Sequence, residues 1–553
     1  MNPQMLLNKL VPTLYEDDCL LAVVKPAGVD VGGGRSQSAT GLLDTLAEVR
    51  DRGEKLEPAS RLSRYESGVL LVGKEPGIVR HIRAELRTTQ IMHEYVAVVL
   101  GSMREPSLTI GGGRGASRGK GKQRVPTARR PSGVSAAIPK TTVSLIRQGE
   151  GRALVRCRTT AKNTHVLRAQ LRSARLRLLG DSLHDPSAWR RGAELTCLHL
   201  SRLAFHHPAS KSKVSLTSRA PEAFKAVVEG RGDFERVLHA ALVRRLTCMV
   251  EPDTDSYRLL TGDTEGIKGL IAEKYGQVVV MQVLGERDGL VELLRSIAQW
   301  YRDMLEADAV YVKRFVKDRP AIEEETAETL RSPKPLVGRP VPEQIAIREG
   351  GLKFAIRPYD GFAVGLFLDH RDNRSRVRSL AEGKDVLNLF AYTCGFSVVA
   401  AAGGASSTVS VDISPGHLEW GRTNFKLNGL DLAKHLFIRS GTVEYLKRAK
   451  RQDESFDLII LDPPTFAHGR KRKQDFSIAR DLTDLIAASA ELLRPGGVMM
   501  VSTSYRRISL RDLRERLKRG AGRRKVKVIE TPPLPIDFSS DPDHAKTIFA
   551  RFE

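Results

Sequence analysis

From about residue 346 to its end, the chain alternates short apolar runs with longer stretches of mixed polarity. The runs Asp385-Val-Leu-Asn-Leu-Phe390, Thr408-Val-Ser-Val-Asp412, Phe456-Asp-Leu-Ile-Ile-Leu461 and Gly497-Val-Met-Met-Val-Ser502 have the length and continuity of strands buried on both faces. Between them, Ser414–Asn428 carries Pro415 near its start and Asn428-Gly429 at its end, and Phe476–Leu493 is closed by Arg494-Pro-Gly-Gly, which predicts two helices. A third helix of small residues is expected over Phe396–Gly404. Strand–helix alternation of this kind predicts an open α/β sheet. Upstream, residues from about 245 to 345 alternate apolar strands with a helix around Val291–Met304. Residues 1 to about 230 form a further region, ending near Pro221-Glu-Ala-Phe-Lys225. Two stretches break the pattern. Gly111–Pro139 is rich in Gly, Arg, Ser and Pro and reads as a flexible basic loop, and Arg331–Pro342, with four prolines, reads as a linker. The expected organisation is three domains, 1–230, 245–345 and 346–553, with no internal repeat.

Composition narrows the class. Hydrophobic content of 41% and charged content of 28% are ordinary for a soluble chain, and no apolar run reaches the 18 residues or so of a membrane span. The first residues show no apolar segment before a small-residue cleavage site, so no signal peptide is expected. Five scattered cysteines (Cys19, Cys157, Cys197, Cys248, Cys394), without a C-x-x-C pair, argue against a zinc site and a disulfide framework; a reducing cytoplasm fits best. Net charge is +24, from 89 Lys+Arg against 65 Asp+Glu, which points to a polyanionic partner. The excess is clustered. Between Glu105 and Asp181 the sole acid is Glu150, while Arg114, Arg118, Lys120, Lys122, Arg124, Arg129 and Arg130 precede a second basic run over Arg152–Arg177; further clusters lie at Arg470–Lys473 and Arg506–Lys527. Nucleic acid is the expected partner.

In an open α/β sheet the ligand sits beyond the strand C-termini at the topological switch point. The first strand of the C-terminal region runs into Asn388-Leu-Phe-Ala-Tyr-Thr-Cys-Gly395, a tight turn where backbone amides can approach a ligand. The second ends at Asp412, an acid that can accept hydrogen bonds from ribose hydroxyls. The fourth ends in Asp462-Pro-Pro-Thr-Phe466, a stiffened backbone followed by an aromatic that can stack on a base. Each feature alone is weak; their order and spacing together are specific.

These residues carry a resemblance. Gly365-Leu-Phe-Leu-Asp-His-Arg371, Leu387-Asn-Leu-Phe-Ala-Tyr-Thr393, Asp412 with Leu418-Glu-Trp420 and Leu427-Asn-Gly429, and Asp462-Pro-Pro-Thr-Phe466 resemble the bacterial large-subunit ribosomal RNA methyltransferases. Tyr257-Arg-Leu-Leu-Thr-Gly-Asp263 and Gly266-Ile-Lys-Gly-Leu270 are similar to the central α+β domain of that family, and the resemblance covers about residues 250 to 553. It implies a seven-stranded Rossmann-like sheet binding S-adenosylmethionine through Asn388, Phe390, Tyr392, Thr393, Gly395, Asp412 and Asp462, with Asp462, Pro463, Pro464 and Phe466 as catalytic residues and no metal. The implied partner is large-subunit ribosomal RNA or an assembling ribosomal subunit. The family has a branch that methylates cytosine C5, where a thiolate must first attack the ring, and that branch carries a thiol after the strand that here reads Met500-Val-Ser-Thr-Ser-Tyr505. Neither that stretch nor Thr465 supplies one, and Cys394 is the one cysteine of the domain. The other branch methylates guanine N7, whose lone pair needs only positioning; Ser502–Arg507 and Leu534-Pro-Ile-Asp-Phe538 with His544 resemble it. One departure stands out. The family places an acid after the third strand for the adenine amine, whereas Phe437-Ile-Arg-Ser-Gly-Thr442 has Gly441 there. Either another residue does this work or cofactor affinity is weak.

The N-terminal region carries a second resemblance. Val23-Val-Lys-Pro-Ala-Gly28, Arg61-Leu-Ser-Arg-Tyr-Glu-Ser-Gly68, Glu94-Tyr-Val-Ala-Val-Val-Leu-Gly101, Thr164-His165, Leu179-Gly-Asp181 and Leu198–Pro208 are similar to the large pseudouridine synthase family, in its order, over about residues 10 to 228. The implied fold is mixed α/β with a central antiparallel sheet. The family's catalytic residue is an aspartate in a His-Arg-Leu-Asp run, and here the run is Ser60-Arg-Leu-Ser63. Serine cannot replace a carboxylate acting as nucleophile or base. Asn163 stands where an Arg usually precedes Thr164, while Tyr95 matches the family's active-site aromatic. The region reads as an inactive synthase that grips RNA; the RNA contacts expected over the whole chain are Arg61 and Tyr95 here and Arg506 and Arg507 in the C-terminal domain. Two other readings remain: an enzyme that makes both pseudouridine and a methylated base, and a non-catalytic RNA-binding assembly factor.

Overall fold

The computed structural model describes residues 3–32, 41–50, 55–88, 91–111, 139–149, 151–161, 163–181, 195–230, 233–284, 290–315, 332–361, 363–467 and 476–553. The basic loop within 111–139 and the cluster Arg470–Lys473 therefore lie largely or wholly outside the described residues. The chain divides into two compact units, one of residues 1–250 with 265–268, the other of 251–264 with 269–553. The central and C-terminal regions expected as separate domains share the second unit.

In the first unit the described strands make an eleven-stranded mixed sheet. Its long path runs from Thr13–Glu16 through Leu20–Lys25, Ser67–Gly73, Leu198–His206, His93–Leu100, Arg152–Thr159 and Thr141–Gly149 to Ser107–Ile110. Pairing is antiparallel except between Leu198–His206 and Ser67–Gly73. Ser67–Gly73 is buried along its whole length, as a central strand covered on both faces must be. Asn163 has a local role: its side chain accepts from the Val166 N–H at 3.1 Å and caps helix Thr164–Ser173.

The second unit opens with a five-stranded sheet over Ser256–Thr261, Leu270–Tyr275, Val278–Leu284, Ala309–Phe315 and Val337–Gly338, with helix Leu290–Leu305 between the third and fourth strands. The expected linker contributes to it. Despite its prolines, Val337–Gly338 pairs with Ala309–Val310 as a two-residue edge strand, the position where missing N–H groups cost least.

The C-terminal sheet has seven strands: β1 (Asp385–Leu389), β2 (Ser407–Asp412), β3 (His435–Arg439), β4 (Phe456–Leu461), β5 (Leu493–Thr503), β6 (Val526–Glu530) and β7 (Lys546–Phe552). Their order is β3-β2-β1-β4-β5-β7-β6, with β7 antiparallel to both neighbours and the others parallel. The Rossmann-like expectation holds. Helices α1 (Arg371–Leu380), α2 (Gly395–Ala402), α3 (Pro415–Leu427), α4 (Thr442–Arg451), α5 (Ile478–Ala490) and α6 (Leu510–Gly520) cover it. One apolar cluster, including Val386, Ile460, Phe425 and Phe549, fills one face; another, including Leu387, Ile459, Leu482 and Leu513, fills the other. The chain steps outward from β1 to β3 and then returns beside β1 as β4. Register sets Leu389 opposite Val411 and Leu461, and Asp412 opposite Arg439, so the C-terminal ends of β1 to β4 share one edge.

Candidate active site

The turn after β1 has an unusual backbone. Phe390, Tyr392 and Cys394 all have positive φ, at 56°, 48° and 60°. Left-handed residues without a glycine are strained, and three in alternation mark a loop whose shape is imposed by its surroundings. Several contacts impose it. The Asp412 carboxylate accepts the Tyr392 N–H at 2.9 Å and the Ser414 N–H at 2.8 Å, tying the ends of β1 and β2 together. Thr393 is buried; its hydroxyl donates to the Gly365 carbonyl at 2.5 Å, and its own carbonyl accepts from Asn424 at 2.9 Å. Asn388 is buried too, donating to Ser397 Oγ at 2.9 Å. Gly365, at φ 125°, lies against the indole of Trp420, where a Cβ would come to 2.5 Å. Of the expected cofactor residues, then, Asn388 and Thr393 commit their side chains to the turn itself. Phe390, Tyr392, Gly395 and Asp412 form the edge.

Apolar surface borders that edge. Ile413, directly after Asp412, is 60% exposed, and Phe367 is 52% exposed with its ring 5.2 Å from that of Tyr392. Both were missed as site residues. Phe367 was within reach, since it belongs to the segment Gly365–Arg371 that carried the resemblance.

At the end of β4, Asp462 meets a histidine. His370 Nε2 lies 3.1 Å from Asp462 Oδ2, and Asn373 Nδ2 is 3.0 Å from His370 Nδ1. Burial alone would depress the His370 imidazole, but the charges of Asp462 and Asp369 outweigh it and raise its pKa. Asp369 is also buried. Desolvation would raise it, yet His370, His544 and Arg258 hold its carboxyl below the ordinary range. Asp462 itself retains 28% side-chain exposure, so one face of the carboxylate is open. Pro463 is buried and Pro464 exposed, and Phe466 is 51% exposed in a short hairpin with Phe476–Ser477. The ring of Phe476 is 5.7 Å from that of Phe390, joining this hairpin to the turn after β1. His370 is the functional candidate that sequence reasoning quoted but did not assign.

A thiolate is lacking. Cys394 is fully buried, and burial pushes its thiol up to about 12. Within Met500–Tyr505, Thr503 is buried and its hydroxyl accepts the Tyr505 N–H at 3.0 Å.

The basic clusters divide into two kinds. Arg507 and, on α6, Arg511, Arg514, Lys518 and Arg519 are exposed. Arg506 is exposed as well but is paired with Asp541, 3.2 Å from one of its nitrogens. Arg524, by contrast, donates to the carbonyls of Ala490, Leu493, Arg494 and Phe552 and serves the fold. A cavity of about 910 Å³ in the five-stranded part of this unit is lined by Arg295, Lys313, Arg314 and Lys334 with Tyr311 and Tyr359. None of the strand-end residues lines it.

In the first unit, Ser63 and Arg61 are exposed on one loop. Behind it Glu66, 2% exposed, accepts from Arg168 Nη2 at 2.6 Å and from the Ser63 N–H at 3.0 Å, and Arg168 reaches Asp181 at 3.3 Å. Glu66 is thus engaged on both oxygens. Buried Lys25 donates to the carbonyls of Pro26, Arg64 and Glu66 at 2.9, 3.2 and 2.8 Å, and burial lowers it to about 7. Tyr95 is only 5% exposed; burial, then the charge of Glu66, raises its phenol. Among the described residues, Asp17, Cys19 and His207 have potential ligand atoms within 4.8 Å. The Asp17 carboxylate already accepts from Cys19 N, Leu20 N and the Tyr15 hydroxyl and faces His207, which accounts for the grouping without an ion.

Comparison with known proteins bears on both units. Residues 328–549 match the model of the S-adenosylmethionine-dependent methyltransferase family, and residues 19–173 that of the RNA pseudouridylate synthase family. The chain is 32% identical over 333 residues to a ribosomal RNA large subunit methyltransferase of Deinococcus radiodurans, covering 57% of this chain and 78% of that one. It is 34% identical to ribosomal RNA large subunit methyltransferase I of Erwinia tasmaniensis, over 48% of this chain and 65% of the relative, so it spans just under two thirds of that protein. It is 38% identical to ribosomal RNA large subunit methyltransferase K of Neisseria meningitidis, over 36% of this chain and 55% of the relative. Among solved structures, a protein described as a methyltransferase complexed with S-adenosylhomocysteine superposes with a TM-score of 0.52 at 26% identity, over 63% of this chain and 87% of that one.

Proposed function

This chain belongs to the ribosomal RNA large subunit methyltransferases, and from that premise we propose that it methylates guanine N7 in large-subunit ribosomal RNA, with the first unit as a docking module that has lost pseudouridine synthase chemistry. The domains are taken as 1–230, 245–345 and 346–553, and the work as cytoplasmic. Bound at the edge of β1 and β2, S-adenosylmethionine supplies a methyl group on a cationic sulfur, an electrophile that needs no further activation. The chain's residues fit it. The left-handed turn Phe390–Gly395 leaves its backbone at the strand ends, Asp412 accepts hydrogen bonds between that turn and Ile413, and Phe367 and Ile413 offer apolar surface. Asn388 and Thr393 hold the turn in shape.

The observation that carries the choice of base is the missing thiolate. Within residues 251–553 the sole cysteine is Cys394, buried and pushed up to about 12, so nothing can add to C6 of a cytosine. Guanine N7 has an available lone pair and needs orientation alone. Asp462, held by His370 and followed by Pro463 and Pro464, has an open face to accept from a base N–H, and Phe466 presents a ring for stacking. Arg506 and Arg507 lie on the same unit as phosphate contacts, and Arg61 and the Tyr95 region supply contacts from the first unit. The test is incubation of the full chain with labelled S-adenosylmethionine and protein-free large-subunit RNA from a deletion strain, followed by nucleoside mass spectrometry. Labelled 7-methylguanosine that is lost in Asp462→Ala is the expected result. Labelled 5-methylcytidine would overturn the base assignment, and no transfer to RNA or to assembling subunits would overturn the whole reading.

A further inference from the structure

The five-stranded part of the second unit carries charge that methyl transfer leaves unused. Its cavity of about 910 Å³ is lined from helix Leu290–Leu305, from strand Ala309–Phe315 and from the segment before Val337. Two tyrosines fix that segment. Tyr311 Oη donates to the Pro333 carbonyl at 3.2 Å and accepts the Val341 N–H at 3.1 Å, and Tyr359 donates to the Val341 carbonyl at 3.1 Å. The helix contributes Arg295, the strand Lys313 and Arg314, and the fixed segment Lys334. Arg295, Arg314 and Lys334 are exposed, whereas Lys313 is only 1% exposed. Its ammonium has three protons to donate, and among the described residues it has one hydrogen-bond partner, the Gly361 carbonyl at 2.9 Å. Burial lowers it to about 8, against the charges of Asp360 and Glu273. Neither acid is a dedicated counter-charge: Asp360 is paired with Arg357 at 3.3 Å and Glu273 with Arg258 at 2.8 Å. A buried ammonium with a single acceptor is costly to the fold, and an anion in the cavity would satisfy it.

We propose that this cavity holds phosphate groups of the ribosomal RNA strand, as a second hold on the substrate separate from the strand-end site. The choice of RNA as the source of phosphate rests on the function proposed above. Four cations on three different elements exceed what one small anion needs, and the volume is at the upper end of small-ligand sites. Three of the cations are open to solvent, where they attract a polyanion and displace its counterions. Lys313 supplies the buried charge, which acts through protein rather than water and binds an anion more strongly. A free phosphorylated compound shares this chemistry, and the experiment separates the two sources.

The experiment is filter binding of the full chain to protein-free large-subunit RNA across a salt series, with calorimetry on inorganic pyrophosphate alongside. Lys313→Met is expected to weaken RNA binding roughly ten-fold, the range of one hydrogen bond to a charged group. It should also lower the slope of log affinity against log salt by about 0.7, one phosphate contact on a single strand. Arg314→Ala combined with Lys334→Ala, at two exposed positions, lowers the slope about twice as much. Urea denaturation separates this from a structural role: loss of a poorly satisfied buried charge leaves the Lys313→Met midpoint unchanged or higher, whereas a lysine kept for the fold alone would lower it. Slopes equal to that of the unsubstituted chain in both variants overturn this inference alone. Pyrophosphate binding lost in Lys313→Met while RNA binding is intact assigns the cavity to a free phosphorylated compound and overturns the RNA assignment. If RNA binding depends on Lys313 only after Glu323, Glu324 and Glu325, which lie outside the described residues, are replaced by glutamine, the chain's own acids serve the cavity and the proposal falls. An unsubstituted chain that binds no RNA removes this inference and the proposed function together.

Discussion

Replacing Asp537 with alanine should unfold the second unit far more easily than its short surface turn suggests. Asp537 is fully buried. Its carboxylate accepts the Arg258 N–H at 2.8 Å and two guanidinium nitrogens of Arg371 at 2.5 and 3.3 Å. Arg371 is itself only 10% exposed, and its other contacts include the Ser256 carbonyl at 3.4 Å, Asp372 at 3.9 Å and the ring of Tyr257. Truncation therefore removes the principal counter-charge of a buried guanidinium and an acceptor of a buried amide. Breaking a buried pair costs about 3–5 kcal/mol, and the orphaned amide falls within that sum because the two losses are coupled. Asp537→Asn retains an acceptor for the amide and should cost about half as much. Urea denaturation followed by tryptophan fluorescence in a Trp189→Phe background reports on this unit, where Trp300 and Trp420 reside. The double substitution Arg371→Met with Asp537→Leu should recover most of the loss, since it removes both charges together. A shift below about 1 kcal/mol for Asp537→Ala, or a double variant no better than the single one, refutes the reasoning. The turn also leads to Asp541 and His544, which meet Arg506 and Asp369, so methyl transfer should fall in the same variants even where the chain remains folded.

On the proposed reading, Phe466→Ala should raise KM for RNA roughly ten-fold while leaving the affinity for S-adenosylhomocysteine unchanged, because this half-exposed ring is the one assigned to stack on the target base; filter binding and calorimetry on one preparation separate the two, and a loss confined to cofactor binding contradicts the assignment. The first unit should lose stability on mild acidification. Burial depresses the His199 imidazole from its ordinary 6.5 to about 4, its ring nitrogens being held by Ser67 and Ser218 at 2.9 and 3.0 Å. Above pH 6.5 the ring is neutral in both states and the contribution is complete; as pH falls toward 4 the unfolded chain binds a proton that the folded one refuses, and roughly 3 kcal/mol is lost. Denaturation at pH 7.5 and 5 should show this, and His199→Asn should flatten the difference.

Much of the sheet was legible because its strands are local signals. Phe456–Leu461 agrees residue for residue, and the Asp385 run was read one residue too far only because Phe390 turns left-handed. That deviation is itself part of the site: the hydrophobic pattern carries a strand onward, and Asp412, a residue distant in sequence, bends it away. The early start of β5 at Leu493 was hidden by Arg494-Pro-Gly-Gly, turn chemistry that here lies inside a strand with a shifted register. Side-chain partners were the least legible. His370 and Asp462 are far apart in the chain, as are Arg371 and Asp537, and no period within either segment encodes their meeting.

On the proposed reading, the first unit shows why chemistry can be lost without loss of shape. The loop bearing Ser63 is held by its backbone: the Ser63 N–H donates to Glu66, and the Arg64 and Glu66 carbonyls accept from Lys25. The side chain at 63 is exposed, whereas Glu66, Arg168 and Asp181 form a buried charge set whose members cannot be removed singly at low cost. An exchange of aspartate for serine at 63 therefore removes a reactive group and leaves the scaffold in place. Exchange at Arg168 would do the reverse, leaving Glu66 without its counter-charge and collapsing the loop that a docking surface needs.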